Sequence, residues 1–234
     1  MTRIFVVGCP RSGTTLCQTM LASNETVYSF PETHFFKKIW GRMWRWKRFG
    51  LLSPRAAQHT WEACRDLVDP PSKERWKAPA APLAGVYRSR FRDMVDDATR
   101  HRGCGHWVEK SPVHLHCIED ILETIQDARF VHMVRDGRQV VASFAELCFR
   151  GPETFLRQAL EGDRRMIDRA TELSREDILE RVILRWKTDI DRTLQVVGSS
   201  NHHLVRYERL TEEPEVLLRS LCKVLNVPYD DAML

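Results

Sequence analysis

The chain opens on a short apolar run, Ile4-Phe5-Val6-Val7, that stops at Gly8; helical spacing then sets in through Leu16, Met20 and Leu21. This pattern predicts a strand, a glycine-containing loop and a helix over about Gly13 to Ala22. Further strands are predicted at Trp107-Val108-Glu109, Arg129 to Val134 and His203 to Arg206, with a short one ending before Glu32. Helices are predicted at Leu115 to Gln126, Arg138 to Cys148, Pro152 to Leu173, Asp177 to Val197 and Pro214 to Leu225. Pro152 and Pro214 stand where first-turn prolines stand. Strands alternating with helices imply an α/β fold whose parallel sheet, of about five strands, is covered on both faces in three α/β/α layers.

From about Phe35 to Arg100 this alternation gives way to a stretch rich in Trp, Arg, Lys and Pro. We expect a helical insertion there, over the C-terminal edge of the sheet where ligands of open α/β sheets bind, within a single domain of residues 1–234.

Composition narrows the function classes. Hydrophobic residues at 43% and charged residues at 29% exclude a disordered or fibrous chain. A net charge of +4 makes no demand for nucleic acid. Met1-Thr2-Arg3 leads straight into the first strand, no later stretch has the length of a membrane span, and the seven cysteines include no C-x-x-C pair. The expectation is a cytoplasmic protein with reduced thiols.

The first loop, Gly8-Cys9-Pro10-Arg11-Ser12-Gly13-Thr14-Thr15, has the glycine spacing of a phosphate cradle that opens a helix. A nucleoside-triphosphate P-loop places lysine after the second glycine, whereas here that residue is Thr14 and the cation is Arg11, inside the loop. A guanidinium fork suits a diphosphate-like end without a γ-phosphate. A second anion site is suggested where the Arg129 to Val134 strand runs into Arg135, with Ser143 on the second turn of the following helix. A guanidinium and a hydroxyl can converge there on another phosphate.

Pro10-Arg11-Ser12-Gly13-Thr14-Thr15 resembles the 5′-phosphosulfate loop of sulfotransferases that use 3′-phosphoadenosine 5′-phosphosulfate (PAPS), and the Arg135/Ser143 pair resembles that family's 3′-phosphate site. The resemblance covers roughly Ile4 to Thr33 and Trp107 to Leu225. It implies a P-loop-like fold, with Arg11, Ser12, Gly13, Thr14 and Thr15 at the 5′ end, Arg135 and Ser143 at the 3′-phosphate, and Tyr207 near the adenosine. It also implies that Lys110 steadies the transferring sulfuryl group. The family's cytosolic branch has Lys-Thr-His here and uses the His as base; this chain has Lys110-Ser111-Pro112. Glu32, in Phe30-Pro31-Glu32-Thr33-His34, is placed like the catalytic Glu of tyrosylprotein sulfotransferases, and His34 is the competing base.

The reading is therefore a sulfotransferase moving a sulfuryl group from PAPS to a hydroxyl, ahead of an amine, with Glu32, Lys110 and Arg11 as catalytic residues, adenosine 3′,5′-bisphosphate as product and no metal. The acceptor is open among small molecules, glycans and peptides. The resemblance implies a basic, glycine-containing closing loop after the last helix, and the sequence stops at Leu234 before it. Two rivals stand: an ATP-dependent kinase or NTPase with Asp136 as a displaced metal ligand, and a non-catalytic nucleotide-binding protein. His202-His203 and Cys104-x-His106 lack the spacing of a zinc site. Phe35 to Phe49 interleaves aromatics with cations, which suits either an anionic or membrane surface or a helix packing its Trp face on the core.

Overall fold

The computed structural model describes residues 1–40, 44–71, 73–160 and 173–234. Its centre is a five-stranded sheet of β1 Thr2–Gly8, β2 Val27–Phe30, β3 His106–Lys110, β4 Arg129–Val134 and β5 His202–Arg206, in the order β2-β3-β1-β4-β5. All four neighbouring pairs are parallel. The chain passes from β1 to the edge strand β2, returns inward to β3 beside β1, and then continues at β4 and β5 on the other side, so a crevice opens beyond the carboxyl ends of β1, β3 and β4, where such sheets bind ligands.

The helices among the described residues are α1 Thr14–Ala22, α2 Phe35–Lys38, α3 Pro54–Val68, α4 Ala84–His101, α5 Ile118–Leu122, α6 Gly137–Arg150, α7 Glu153–Ala159, α8 Arg175–Val196, α9 Tyr207–Glu212 and α10 Pro214–Leu225. Alternation along β1 sorts them into layers. Ile4 and Val6 point into a core with α1 and α10, through Cys17, Leu21, Leu218, Leu221 and Leu225. Phe5 and Val7 point the other way, into a larger core with Trp107, Phe130 and residues of α2, α3 and α4 such as Phe35, Trp61 and Phe91. A sheet buried on both faces explains why its strands read as nearly continuous apolar runs.

The 35–100 stretch carries two long helices that the sequence pattern did not delimit. α4 buries Tyr87, Phe91, Met94, Val95 and Ala98, and its Asp96 accepts from the Trp107 indole at 2.8 Å and from the Arg3 guanidinium at 3.1 and 2.7 Å. That bond ties the helix to β1 and β3. Phe35, Phe36 and Trp40 are also buried, so these aromatics of the mixed aromatic and basic segment face the core. Residues 41–43 of that segment lie outside the described residues.

Two expected helices differ. Leu115 to Gln126 is a 3₁₀ segment, Pro112–Cys117, followed by the short α5. The break falls at Cys117, whose φ of −124° and ψ of 14° leave the helical region while Val113, Leu115 and Cys117 are buried. The expected Pro152 to Leu173 helix is present as α7, with Pro152 one residue earlier than first-turn, at the N-cap; 161–172 lies outside the described residues. α8 starts on a reciprocal capping box between Ser174 and Asp177, the pairing that satisfies orphan amides at a helix start.

Candidate active site

The loop between β1 and α1 is shaped by two close approaches. A Cβ on Gly8 would lie 2.4 Å from the Met133 carbonyl oxygen of β4, and one on Gly13, where φ is 90°, would lie 2.3 Å from Cδ2 of Tyr207. Ser12 is buried and turns its hydroxyl inward to the Cys9 carbonyl at 2.6 Å. Its amide donates to the same carbonyl at 3.2 Å, so both donors of Ser12 are turned into the loop and neither faces the predicted 5′ end. No side chain caps α1, so its first amides are aimed at the cleft without a resident acceptor.

Arg11 stands on this loop in a left-handed conformation, φ 73°, and its Nε donates to Ser143 Oγ on α6 at 3.1 Å. Arg135, just past β4, donates through Nη1 to the Arg11 carbonyl at 3.3 Å and lies over the Tyr207 ring at 4.1 Å. Nε and Nη2 of Arg135 are held by Gln139 Oε1 at 3.1 and 2.8 Å, an orienting partner that the sequence reading did not include. Arg11, Gly13, Thr14, Thr15, Arg135 and Tyr207, with Leu16, line a cleft of about 220 Å³. Of the predicted nucleotide-site residues, all but Ser12 and Ser143 line it; Ser143 adjoins it through Arg11.

Two of the three predicted catalytic residues, Glu32 and Lys110, meet one strand away from Arg11. Lys110, at the end of β3 and 6% exposed, hydrogen-bonds Glu32 Oε1, while His34 Nε2 lies 3.1 Å from Glu32 Oε2. Burial pushes the Glu32 carboxyl up, but the hydrogen bonds and charges of His34 and Lys110 outweigh it and hold its pKa at about 2. The two candidate bases are thus in direct contact.

Beneath them is a residue the sequence reading passed over. Glu109 is fully buried between Val108 and Lys110. The period of two on β3 puts it on the same face as Trp107, and that placement was the available signal, because a carboxylate on a core face demands partners.

Other expected side chains find ordinary partners. Asp136 caps α6, taking the Arg138 amide at 2.8 Å and its guanidinium at 3.1 and 2.6 Å. His114 is buried against Glu109 at 2.9 Å, and His116 lies 2.6 Å from Asp189 of α8. His202 pairs with His132 across β4 and β5 at 2.8 Å. Among the described residues, no three His, Cys, Asp or Glu side chains gather as a metal-binding group.

A family model described as the sulfotransferase family matches residues 3–231. The chain is 25% identical to protein-tyrosine sulfotransferase 1 of Danio rerio, over 100% of its own length and 56% of that protein's, so it spans about half the length of this relative. Its fold is similar to the sulfotransferase domain of the Synechococcus PCC 7002 olefin synthase, with a TM-score of 0.59 and 21% identity over 100% of this chain and 76% of that one. The sulfotransferase domain of the curacin biosynthetic pathway gives a TM-score of 0.61 and 20% identity, with the same coverage.

Proposed function

The chain belongs to the sulfotransferase family, and from that premise we propose that it moves a sulfuryl group from PAPS to an acceptor hydroxyl, ahead of an amine, by in-line displacement. The observation that carries the reading is that the linked Arg11, Arg135 and Ser143 and the Lys110–Glu32 pair stand at the carboxyl ends of neighbouring strands. The fit to the donor rests on the uncapped start of α1, the two glycine approaches and the basic cleft.

Arg11 and the amides of Gly13 to Thr15 would hold the 5′-phosphosulfate on a loop that Ser12 braces through the Cys9 carbonyl, Arg135 and Ser143 would hold the 3′-phosphate, and Tyr207 the adenosine. PAPS supplies the activated sulfuryl group. Lys110 places its ammonium where negative charge grows on the leaving oxygen. In doing so it withdraws from Glu32, whose basicity is suppressed while the pair is intact. Glu32 then accepts the proton of the acceptor hydroxyl, and His34 keeps the carboxylate oriented through its second oxygen. His34 competes less well as the base because its Nε2 is already turned to Glu32.

Asp136 is occupied by Arg138, which removes support from the kinase alternative. No helix among the described residues is long and apolar enough to cross a membrane. The seven unpaired cysteines support a reducing compartment, the cytoplasm. The name of the tyrosine-modifying relative makes a peptide tyrosine the first acceptor to try.

The test is transfer from labelled PAPS, without added metal, to tyrosine peptides, simple phenols and sugar alcohols. Glu32→Gln is expected to lower turnover by about 10²–10⁴-fold while adenosine 3′,5′-bisphosphate still binds. Undiminished turnover in that variant removes Glu32 as the base. No transfer to any hydroxyl acceptor removes the activity.

A further inference from the structure

A buried, unpaired carboxylate costs several kcal/mol, so a fully buried Glu109 must either be neutralised or surrounded by donors. It is surrounded. Oε1 accepts from the Thr33 amide at 3.2 Å, the Thr33 hydroxyl at 2.9 Å and the Ser111 hydroxyl at 2.5 Å. Oε2 meets His114 Nδ1 at 2.9 Å. Burial pushes this carboxyl up, yet His114, Ser111 and Thr33 together hold it below the usual carboxylate range.

Both hydroxyls pass the bond onward. Ser111 Oγ accepts the His34 amide at 3.0 Å, and Thr33 Oγ1 accepts the Phe35 amide at 3.2 Å. Three consecutive amides after Glu32 therefore end on one carboxylate, directly or through a single hydroxyl. His34 sits at φ 51°, a backbone region uncommon for a side chain of its size, and this anchoring is what holds it there. The same carboxylate belongs to the residue before Lys110.

We propose that Glu109 is a positioning residue: a buried anchor that fixes the Glu32-Thr33-His34 segment against the end of β3, so that Glu32 meets Lys110 through one oxygen and His34 through the other. This deepens the proposed function and rests on its assignment of Glu32 and Lys110. An apolar residue at 109 would fill the same core space, but the Thr33 amide and the Ser111 and Thr33 hydroxyls would lose their acceptor inside the protein. Packing alone therefore does not account for a carboxylate here.

The experiment compares the unaltered protein with Glu109→Gln and Ser111→Ala. The titration of the Glu32 carboxyl carbon is followed by ¹³C NMR, and affinity for adenosine 3′,5′-bisphosphate is measured on the same samples. In the unaltered protein Glu32 should show no midpoint between about pH 7 and about pH 3, since Lys110 and His34 hold it below that window. Both variants should acquire a midpoint inside it, with bisphosphate affinity kept within about twofold. If Glu109→Gln does not fold, Ser111→Ala, which removes the hydroxyl between Glu109 and the His34 amide and leaves the Thr33 and His114 bonds to Glu109 in place, carries the test. A folded variant in which Glu32 stays silent overturns the proposal, as does a loss of bisphosphate affinity as large as the change at Glu32. Neither readout needs turnover, so an unaltered protein that transfers no sulfuryl group would refute the proposed function and leave the anchor standing.

Discussion

Gly13 shows how one residue can set the width of the nucleotide cleft. With φ at 90° and Cδ2 of Tyr207 2.3 Å from where a Cβ would stand, Gly13→Ala forces either the loop or the Tyr207 ring to move. Backbone strain of this kind costs about 1–3 kcal/mol, and part of it should be read as lost affinity because the same ring forms the wall of the cleft. Calorimetric titration with adenosine 3′,5′-bisphosphate should show binding weakened by about tenfold or more; unchanged affinity would mean that the ring does not shape the site. Arg11, Lys110 and Arg135 were legible in the sequence because each stands where an apolar run ends, and such positions in a parallel sheet collect at one edge. Glu109 and Gln139 were not. The period of two on β3 marks Glu109 as a carboxylate on a core face, but its role comes from partners distant in sequence such as Thr33, and that of Gln139 from the orientation of Arg135 over Tyr207, which no local pattern encodes.

Among the elements, the β4–β5 pair carries a predictable acid weakness. His132 and His202 face each other with Nε2 and Nδ1 2.8 Å apart, and His132 is fully buried. Burial first, then His202, Arg192 and His203, push His132 down from 6.5 to about 3; burial, His203 and Arg192 also lower His202 despite the opposing pull of Glu119. Above the ordinary 6.5 both folded and unfolded chains are neutral at this site, so stability there is independent of pH. As pH falls below that value, the unfolded chain takes up a proton that the folded sheet refuses until about 3, and His132 alone removes about 1.4 kcal/mol of stability per pH unit across that window. Urea unfolding at about pH 7 and about pH 5 should show this loss, and His132→Phe should flatten it, since the neighbouring Phe130 already stacks on His202. Equal losses in both proteins would contradict the assignment. Both strands were readable in the sequence, β4 as an apolar run and β5 from Leu204-Val205 between polar residues, but the pairing of their histidines was not, because register between strands is a property of the sheet. The helical spacing of Tyr87, Phe91, Met94, Val95 and Ala98 in α4 was present in the sequence, yet Arg88, Arg90 and Arg92 interrupt it with a period of two that suits neither helix nor loop.

Over the whole molecule, the cleft is a joint. Arg11 belongs to the loop after β1, Arg135 to the turn after β4 and Ser143 to α6, while Tyr207 begins α9 beyond β5. A ligand that engages all of them fastens three separate stretches of chain, and its binding energy is added to folding stability by mass action, about 2.7 kcal/mol at a concentration 100 times its Kd. Adenosine 3′,5′-bisphosphate should therefore raise Tm without any divalent metal if Arg11 and Arg135 meet the charge of its phosphates as proposed. Since both guanidiniums are at least partly exposed, the shift should shrink as salt screens them. Adenosine 5′-monophosphate, which has no 3′-phosphate, should stabilise much less, and Arg135→Ala should bring the two nucleotides closer together by weakening the bisphosphate selectively. Equal shifts from both nucleotides in the unaltered protein would break the link between Arg135 and the second phosphate, leaving a one-anion cleft that any 5′-nucleotide could fill.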